Sequence, residues 1–385
     1  MVKIFHVFAL VCTTVFFFFP PADLQGQSKR KNRGIMRDTL DGKLDFSRFL
    51  LDAHGFIPVP VIITEPALGN IGLAIAPLFL KPKKEIPKDA GYVPPDITAG
   101  LAMITANGSW ALGAMRIGSF PKAGIKYRFG LAYADINLNY YRTLPSLGEQ
   151  ELTFNFRALP LFGSISKKIT RNGLYAGVQY VFADLKVKPL FNGNLPEFIK
   201  PKDLDNQVGT LGVFADWDRR NSIFTPDKGF RANFTFDFND NWTASDFNYQ
   251  SLSVTTNWFF PVRKSWISGL RLEWNHIFGS PPFYLYPSII LRGIPFGRYQ
   301  GQAVLITETE QRFDLNKRWS VLGFAGYGRT FTGDDAYIDP QNVYNIGTGF
   351  RYLIARSFRI RTGIDVAMGP DSWGWYIVFG HNWNR

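Results

Sequence analysis

The sequence predicts an all-β chain closed into a transmembrane antiparallel β-barrel of sixteen strands. Three observations carry that expectation. Apolar and polar residues alternate with period two over segments of ten or more residues, where an average globular strand has only about five or six. Tryptophans fall at segment ends, at Trp242, Trp258, Trp266, Trp319, Trp375 and Trp383, where barrels place an interfacial girdle. The chain also opens on an export-type segment.

Composition narrows the class first. The 385 residues include 36 Phe, 16 Tyr and 10 Trp, and the formal charge is +12, which excludes a disordered or collagen-like chain. Mean hydropathy is -0.07, and no internal stretch approaches the roughly 18 apolar residues of a spanning helix. A helical membrane protein is thereby excluded. A barrel is not, because its apolar residues alternate with polar ones.

Residues 1–26 read as a signal peptide: Lys3 and His6, an apolar run over 7–19, Pro20-Pro21, and cleavage near Gly26, with Ala22 as the alternative. A membrane anchor would need a longer run without prolines. Cys12, the only cysteine, falls inside this segment, so the mature chain is expected to have no disulfide and no lipoprotein anchor. Residues 27–55 follow as a short periplasmic leader. Its Lys29-Arg30-Lys31 and Arg33 are read as solvated rather than as a lipid or nucleic-acid patch.

The barrel is expected over 56–385. Its strands fall at 56–64, 71–80, 97–106, 108–120, 125–141, 150–168, 172–186, 207–217, 229–239, 246–260, 264–278, 301–314, 318–330, 343–355, 358–369 and 373–383. The ninth shows the pattern most clearly, with Phe230, Ala232, Phe234, Phe236 and Phe238 opposite Arg231, Asn233, Thr235, Asp237 and Asn239. The eleventh sets Leu270, Leu272 and Trp274 against Arg271, Glu273 and Asn275, and the fourteenth sets Ile346 and Phe350 against Asn345 and Arg351. In the fifteenth, Ile364, Val366 and Met368 oppose Arg361, Gly363 and Asp365.

A soluble sandwich alternates too. Strand length, terminal aromatics and the export segment favour the membrane, where an open sheet edge must close. An even strand number returns the C-terminus to the leader side. Inner turns are then tight (121–124, 171–173, 316–317, 356–357), except at 81–96, and long outer loops fall at 187–206, 279–300 and 331–342.

Two motifs go beyond a generic barrel. An inner turn between the eighth and ninth strands carries Asp218, Arg220 and Asn221, then Pro226 and Gly229. The long loop before the twelfth strand carries Leu291-Arg292-Gly293-Ile294, and that strand holds Glu308, Glu310 and Arg312. With the opening Phe56-Ile57-Pro58-Val59-Pro60 and Glu65-Pro66-Ala67-Leu68-Gly69, their order over 56–385 resembles the barrel of the BamA/TamA superfamily, also called the bacterial surface antigen family. Members assemble or translocate proteins at outer membranes. In the family the sixth outer loop folds into the lumen, and the arginine of a Val-Arg-Gly-Phe or -Tyr motif pairs with wall acids. Leu291 and Ile294 depart from that motif, and Gly326 stands where the thirteenth strand usually offers an Asp. The resemblance therefore implies Glu310, or Glu308, as the partner of Arg292. Read without the family, Arg292 is one more solvated loop residue.

The 28 residues from Gln27 to His54 are too few for even one POTRA domain, so the chain resembles the subgroup built of a barrel alone. Enzyme chemistry finds little to build on. No His-Glu-x-x-His, Gly-x-Ser-x-Gly or Gly-x-x-x-x-Gly-Lys pattern occurs among residues that include His54, His276 and His381, so no catalytic residue, metal or cofactor is assigned. His381 is expected at the membrane interface. Gly326-x-Gly328 and Gly347-x-Gly349 are expected to leave room for a loop packed inside. Nucleic-acid binding is not expected, since the arginines are spread around the lumen rather than set in a groove with stacking aromatics.

The expected function is an assembly or translocation factor of the bacterial outer membrane. Its partners are the bilayer and protein or lipid clients. The mechanism is a weakly zipped seam between the last strand and a first strand carrying Pro58 and Pro60, with Pro66 beyond, since proline donates no ladder bond. The alternative is a passive or gated solute channel with an arginine-rich lumen.

Overall fold

A computed structural model describes residues 36–38, 40–47, 55–69, 71–81, 96–144, 148–192, 195–332 and 340–383; the signal segment and the Lys29–Arg33 stretch lie outside them. The first eight strands are β1 (Gly55–Ile63), β2 (Gly72–Lys81), β3 (Asp96–Thr105), β4 (Trp110–Phe120), β5 (Ile125–Leu144), β6 (Gly148–Lys168), β7 (Leu174–Pro189) and β8 (Asp205–Asp218). The second eight are β9 (Gly229–Asn239), β10 (Tyr249–Arg263), β11 (Trp266–Gly279), β12 (Ala303–Asp314), β13 (Trp319–Phe331), β14 (Asn342–Ala355), β15 (Ile360–Met368) and β16 (Trp373–Phe379). All sixteen form one sheet in chain order, each antiparallel to the next. It is an almost closed barrel. Among the described residues β1 and β16 share no ladder.

Alternation is what sorts inside from outside. In β9, Phe234 lies level with Ala215 of β8 and Val254 of β10 and is 43% exposed, whereas Asp237 and Asn239 of the same strand are buried. The phenylalanine row faces the membrane and the polar row faces the lumen. Introducing arginine at Phe234 is expected to cost about 2–4 kcal/mol if the position lies near the midplane, and arginine at Asn233 much less. Unfolding in lipid vesicles measures both, and equal costs would mean that the faces are exchanged.

The longest strands break this rule, and the departure is informative. On β5 the outward residues Phe129, Leu131 and Tyr133 are followed by Asp135, Asn137 and Asn139, paired with Arg157, Asn155 and Thr153 of β6. Arg157 bonds Asp135 at 2.9 Å, and Asn155 bonds Asn137 at 2.8 Å. The inward residues of the same stretch, Leu138, Tyr140, Phe154 and Phe156, are buried and apolar. Beyond the apolar band the outer face meets water, so the polarity of the two faces inverts. The long-loop end of the lumen is an aromatic core there, not a polar channel.

The leader also departs from expectation. Read as solvated, its residues 36–47 instead dock on the turns entering β13 and β15. Arg318, buried, takes Asp38 at 2.6 Å, Asp41 at 2.7 Å and Asp45 at 2.7 Å, and donates to the Leu353 carbonyl at 3.0 Å. Arg356 pairs with Asp38 at 2.7 Å, and Phe46 packs against Ile354 and Ile360. A buried guanidinium must have its charge and its N–H groups matched, and three aspartates within eight residues of leader supply that match.

Candidate functional site

The chain between β11 and β12 turns into the lumen because apolar residues and small wall residues leave it a fitted place. A 3-10 turn, Phe283–Leu285, sets Phe283 4.9 Å from Phe154 and Tyr284 5.4 Å from Phe156, ring centre to ring centre. Further on, Ile289, Leu291 and Ile294 pack with Val304, Ile306 and Val343. The wall yields at Gly326 and Gly328 of β13. A Cβ at Gly326 would sit 2.8 Å from Leu291, and one at Gly328 2.6 Å from Ile289.

Packing this deep carries Arg292 into the middle of the barrel, where it is 2% exposed. Its Nη2 donates to Glu308 at 2.7 Å, its Nε to the same oxygen at 3.2 Å, and its Nη1 to Asp365 at 2.6 Å. Glu310 lies 3.0 Å from Nη1, but that oxygen makes no hydrogen bond. The guanidinium plane lies over Phe324, 3.4 Å from the ring centre, a cation–π contact in a desolvated place. Three acids surround it (Glu308, Glu310 and Asp365), and two further arginines join them, since Arg271 pairs with Glu308 at 3.2 Å and with Glu273, and Arg351 holds Asp365 with two N–H groups. Paired charges at this depth fix one arrangement of the loop against β11, β12, β14 and β15.

Gly293 follows at φ +84°, and any Cβ there would lie 3.0 Å from the Ala367 backbone, so only glycine fits. Its N–H donates to Tyr376 Oη at 2.8 Å, and its carbonyl accepts from Ser372 at 2.6 Å. Asn345 donates to the Arg292 carbonyl at 2.7 Å. The tip of the loop is thus bonded to β16 and to the residue just before it.

The inner-turn motif forms a second constellation at the short-turn end. Arg220 folds back on Asp218 in a two-pronged pair at 2.7 and 2.9 Å. Asn221 accepts from the Asp227 and Lys228 backbone, the Pro226 carbonyl faces Arg312 at 3.5 Å, and Gly229 takes φ +104° against the Arg219 carbonyl. His381, expected at the interface, is buried inside with Nε2 3.0 Å from Arg220. Trp383, expected in the girdle, is buried too and donates to Glu308 at 2.8 Å. Both corrections have one cause: β16 stops at Phe379, and Gly380 at φ +74° turns the tail inward.

Motif and strand reading placed Arg292 against Glu310 first and Glu308 second; the structure reverses that order, because Glu308 takes two N–H groups and Glu310 faces Arg292 without a hydrogen bond. That reading missed Asp365, Arg271, Arg351, Tyr376 and Trp383. The signal for three of them was present, because Arg271, Arg351 and Asp365 stand on the polar rows of their strands.

A family model described as the Omp85 superfamily domain matches residues 122–288. That stretch, somewhat under half of the chain, is similar to an Omp85-superfamily domain and takes in the inner-turn motif. Among solved structures, the chain is similar to BamA from Haemophilus ducreyi lacking POTRA domains 1–3, with TM-score 0.60 and 12% identity over 84% of this chain and 69% of that one. It is also similar to CdiB from Escherichia coli, with TM-score 0.56 and 11% identity over 83% of this chain and 61% of that one. At such identities the likeness is one of fold. No curated protein sequence matches this chain.

Proposed function

We propose that the chain is an Omp85-superfamily barrel that acts in the bacterial outer membrane as an assembly or translocation factor, working through the seam between β1 and β16. One observation carries the reading: the first and last strands share no ladder among the described residues, while the lumen loop holds β16 through Gly293, Tyr376 and Ser372. A cavity of about 510 Å³ opens there, lined by Thr64, Ala67, Tyr141, Phe296, Trp373 and Trp375. Pro58 and Pro60 of β1 offer no N–H to an incoming strand or to β16, so the edge of the seam stays weakly zipped.

A channel reading needs a clear lumen. The loop and the aromatic core at Phe154, Phe156 and Phe283 fill the long-loop end, which supports the seam reading instead. Cysteines placed in β1 and β16 and joined by a disulfide test it. Closure is expected to abolish assembly activity in cells, read as outer-membrane protein and lipid content, and reductant to restore it. Unchanged content with the bond formed would favour the channel.

A further inference from the structure

A cationic cluster at the short-turn end of the lumen takes no part in the Arg292 network. Arg312 of β12, Arg359 of the turn before β15 and Arg361 of β15 share two carboxylates, Asp227 of the β8–β9 turn and Asp314 of β12. Arg312 reaches Asp314 at 3.0 Å and also pairs with Asp227, Arg359 reaches Asp227 at 3.0 Å, and Arg361 reaches Asp314 only at 3.4 Å. Three guanidiniums against two carboxylates leave one positive charge unmatched.

The unmatched group is Arg361. It is 8% exposed, and that 3.4 Å contact is its only side-chain hydrogen bond among the described residues. Its Nε is buried without a partner. Its backbone is fixed, because the carbonyl accepts from Gly380 at 2.6 Å and the N–H donates to Thr225 at 3.4 Å, so the side chain cannot leave by moving the strand. Leaving a charged donor buried and unsatisfied is costly. Beside it, Arg359 adopts φ +54°, a conformation few residues other than glycine take up, with its side chain half exposed. The cluster therefore has a buried cationic wall and a solvent-facing rim.

We propose that this cluster binds a phosphate-class oxyanion, held between the free edge of Arg361 and Arg359. A pair of guanidiniums suits a tetrahedral oxyanion, which can offer an oxygen to each fork. A phospholipid headgroup and free phosphate share that chemistry. None of its side chains lies on β1 or β16, and its test reads binding rather than assembly, so it can fail while the seam reading holds.

The experiment is calorimetric titration of the folded full chain in non-ionic detergent, with inorganic phosphate in one arm and water-soluble dihexanoyl phosphatidic acid in the other, each against chloride of equal ionic strength. Phosphate is expected to bind, and Arg361→Gln to weaken it by at least about tenfold while the barrel stays folded on unheated gels. Arg359→Gln, at a half-exposed side chain, is expected to weaken it as well and decides the matter if Arg361→Gln does not fold. Tighter binding in the lipid arm assigns a headgroup, and equal binding assigns the free ion. No phosphate-specific heat with folded wild type, or undiminished binding in the folded variants, overturns the proposal.

Discussion

Replacing Arg292 by alanine is expected to destabilise the folded barrel by about 3–5 kcal/mol, the range for breaking a buried pair by removing one partner. The loss is large because Glu308 and Asp365 are both buried and would each be left with less positive charge than their desolvation requires. Lysine should rescue only in part, since Nε, Nη1 and Nη2 each make their own contact and an ammonium cannot span them. The partners are not equivalent. A double-mutant cycle between Arg292 and Glu308 should give the larger coupling, and one with Glu310, which faces Arg292 without a hydrogen bond, the smaller. Folded fraction on unheated gels across a urea series measures all of these. A silent Arg292→Ala would mean that the loop is anchored by its apolar residues alone.

Acidification is expected to free the leader as the pH falls from about 4 toward about 2. A hydrogen bond from Arg318 holds Asp41 down to about 2, and one from Arg356 lowers Asp38. Burial raises Asp45, but hydrogen bonds from Ser47 and Arg318 outweigh it and leave it low. An undocked aspartate titrates near 3.9. Groups whose docked values are depressed favour docking fully above the undocked value and lose that contribution as the pH drops through the docked one. The leader should thus stay in place at pH 5. Anisotropy of a fluorophore at the exposed Leu40 reports its release, and Arg318→Ala should give the low-pH value already at pH 7. Release at pH 6, or none by pH 2, would show that the aspartates do not hold it.

Sixteen strands were legible because period two is a local property that each strand repeats for itself. What stayed hidden depends on depth or on distant chain. Asp135, Asn137 and Asn139 stand on the same row as Leu131 and Tyr133, and only the height of the apolar band tells them apart. Asp365 is level with Gly349, whose missing side chain makes room for its carboxylate. No spacing within β15 reveals that a loop arginine 73 residues earlier reaches it. Trp383 obeyed a girdle rule that holds for straight strand ends, and the turn at Gly380 removed it from that rule.

The inward turn of the tail also sets an order of events. Glu308 receives Arg292 from the loop, Arg271 from the wall and Trp383 from the segment after β16. The loop network is incomplete until Trp383 is in place inside the barrel. Removing the residues after β16 would leave every described strand and yet take one donor from a carboxylate that is 1% exposed. The site therefore couples the loop to the segment after β16, and holding Trp383 outside the barrel should weaken the loop network.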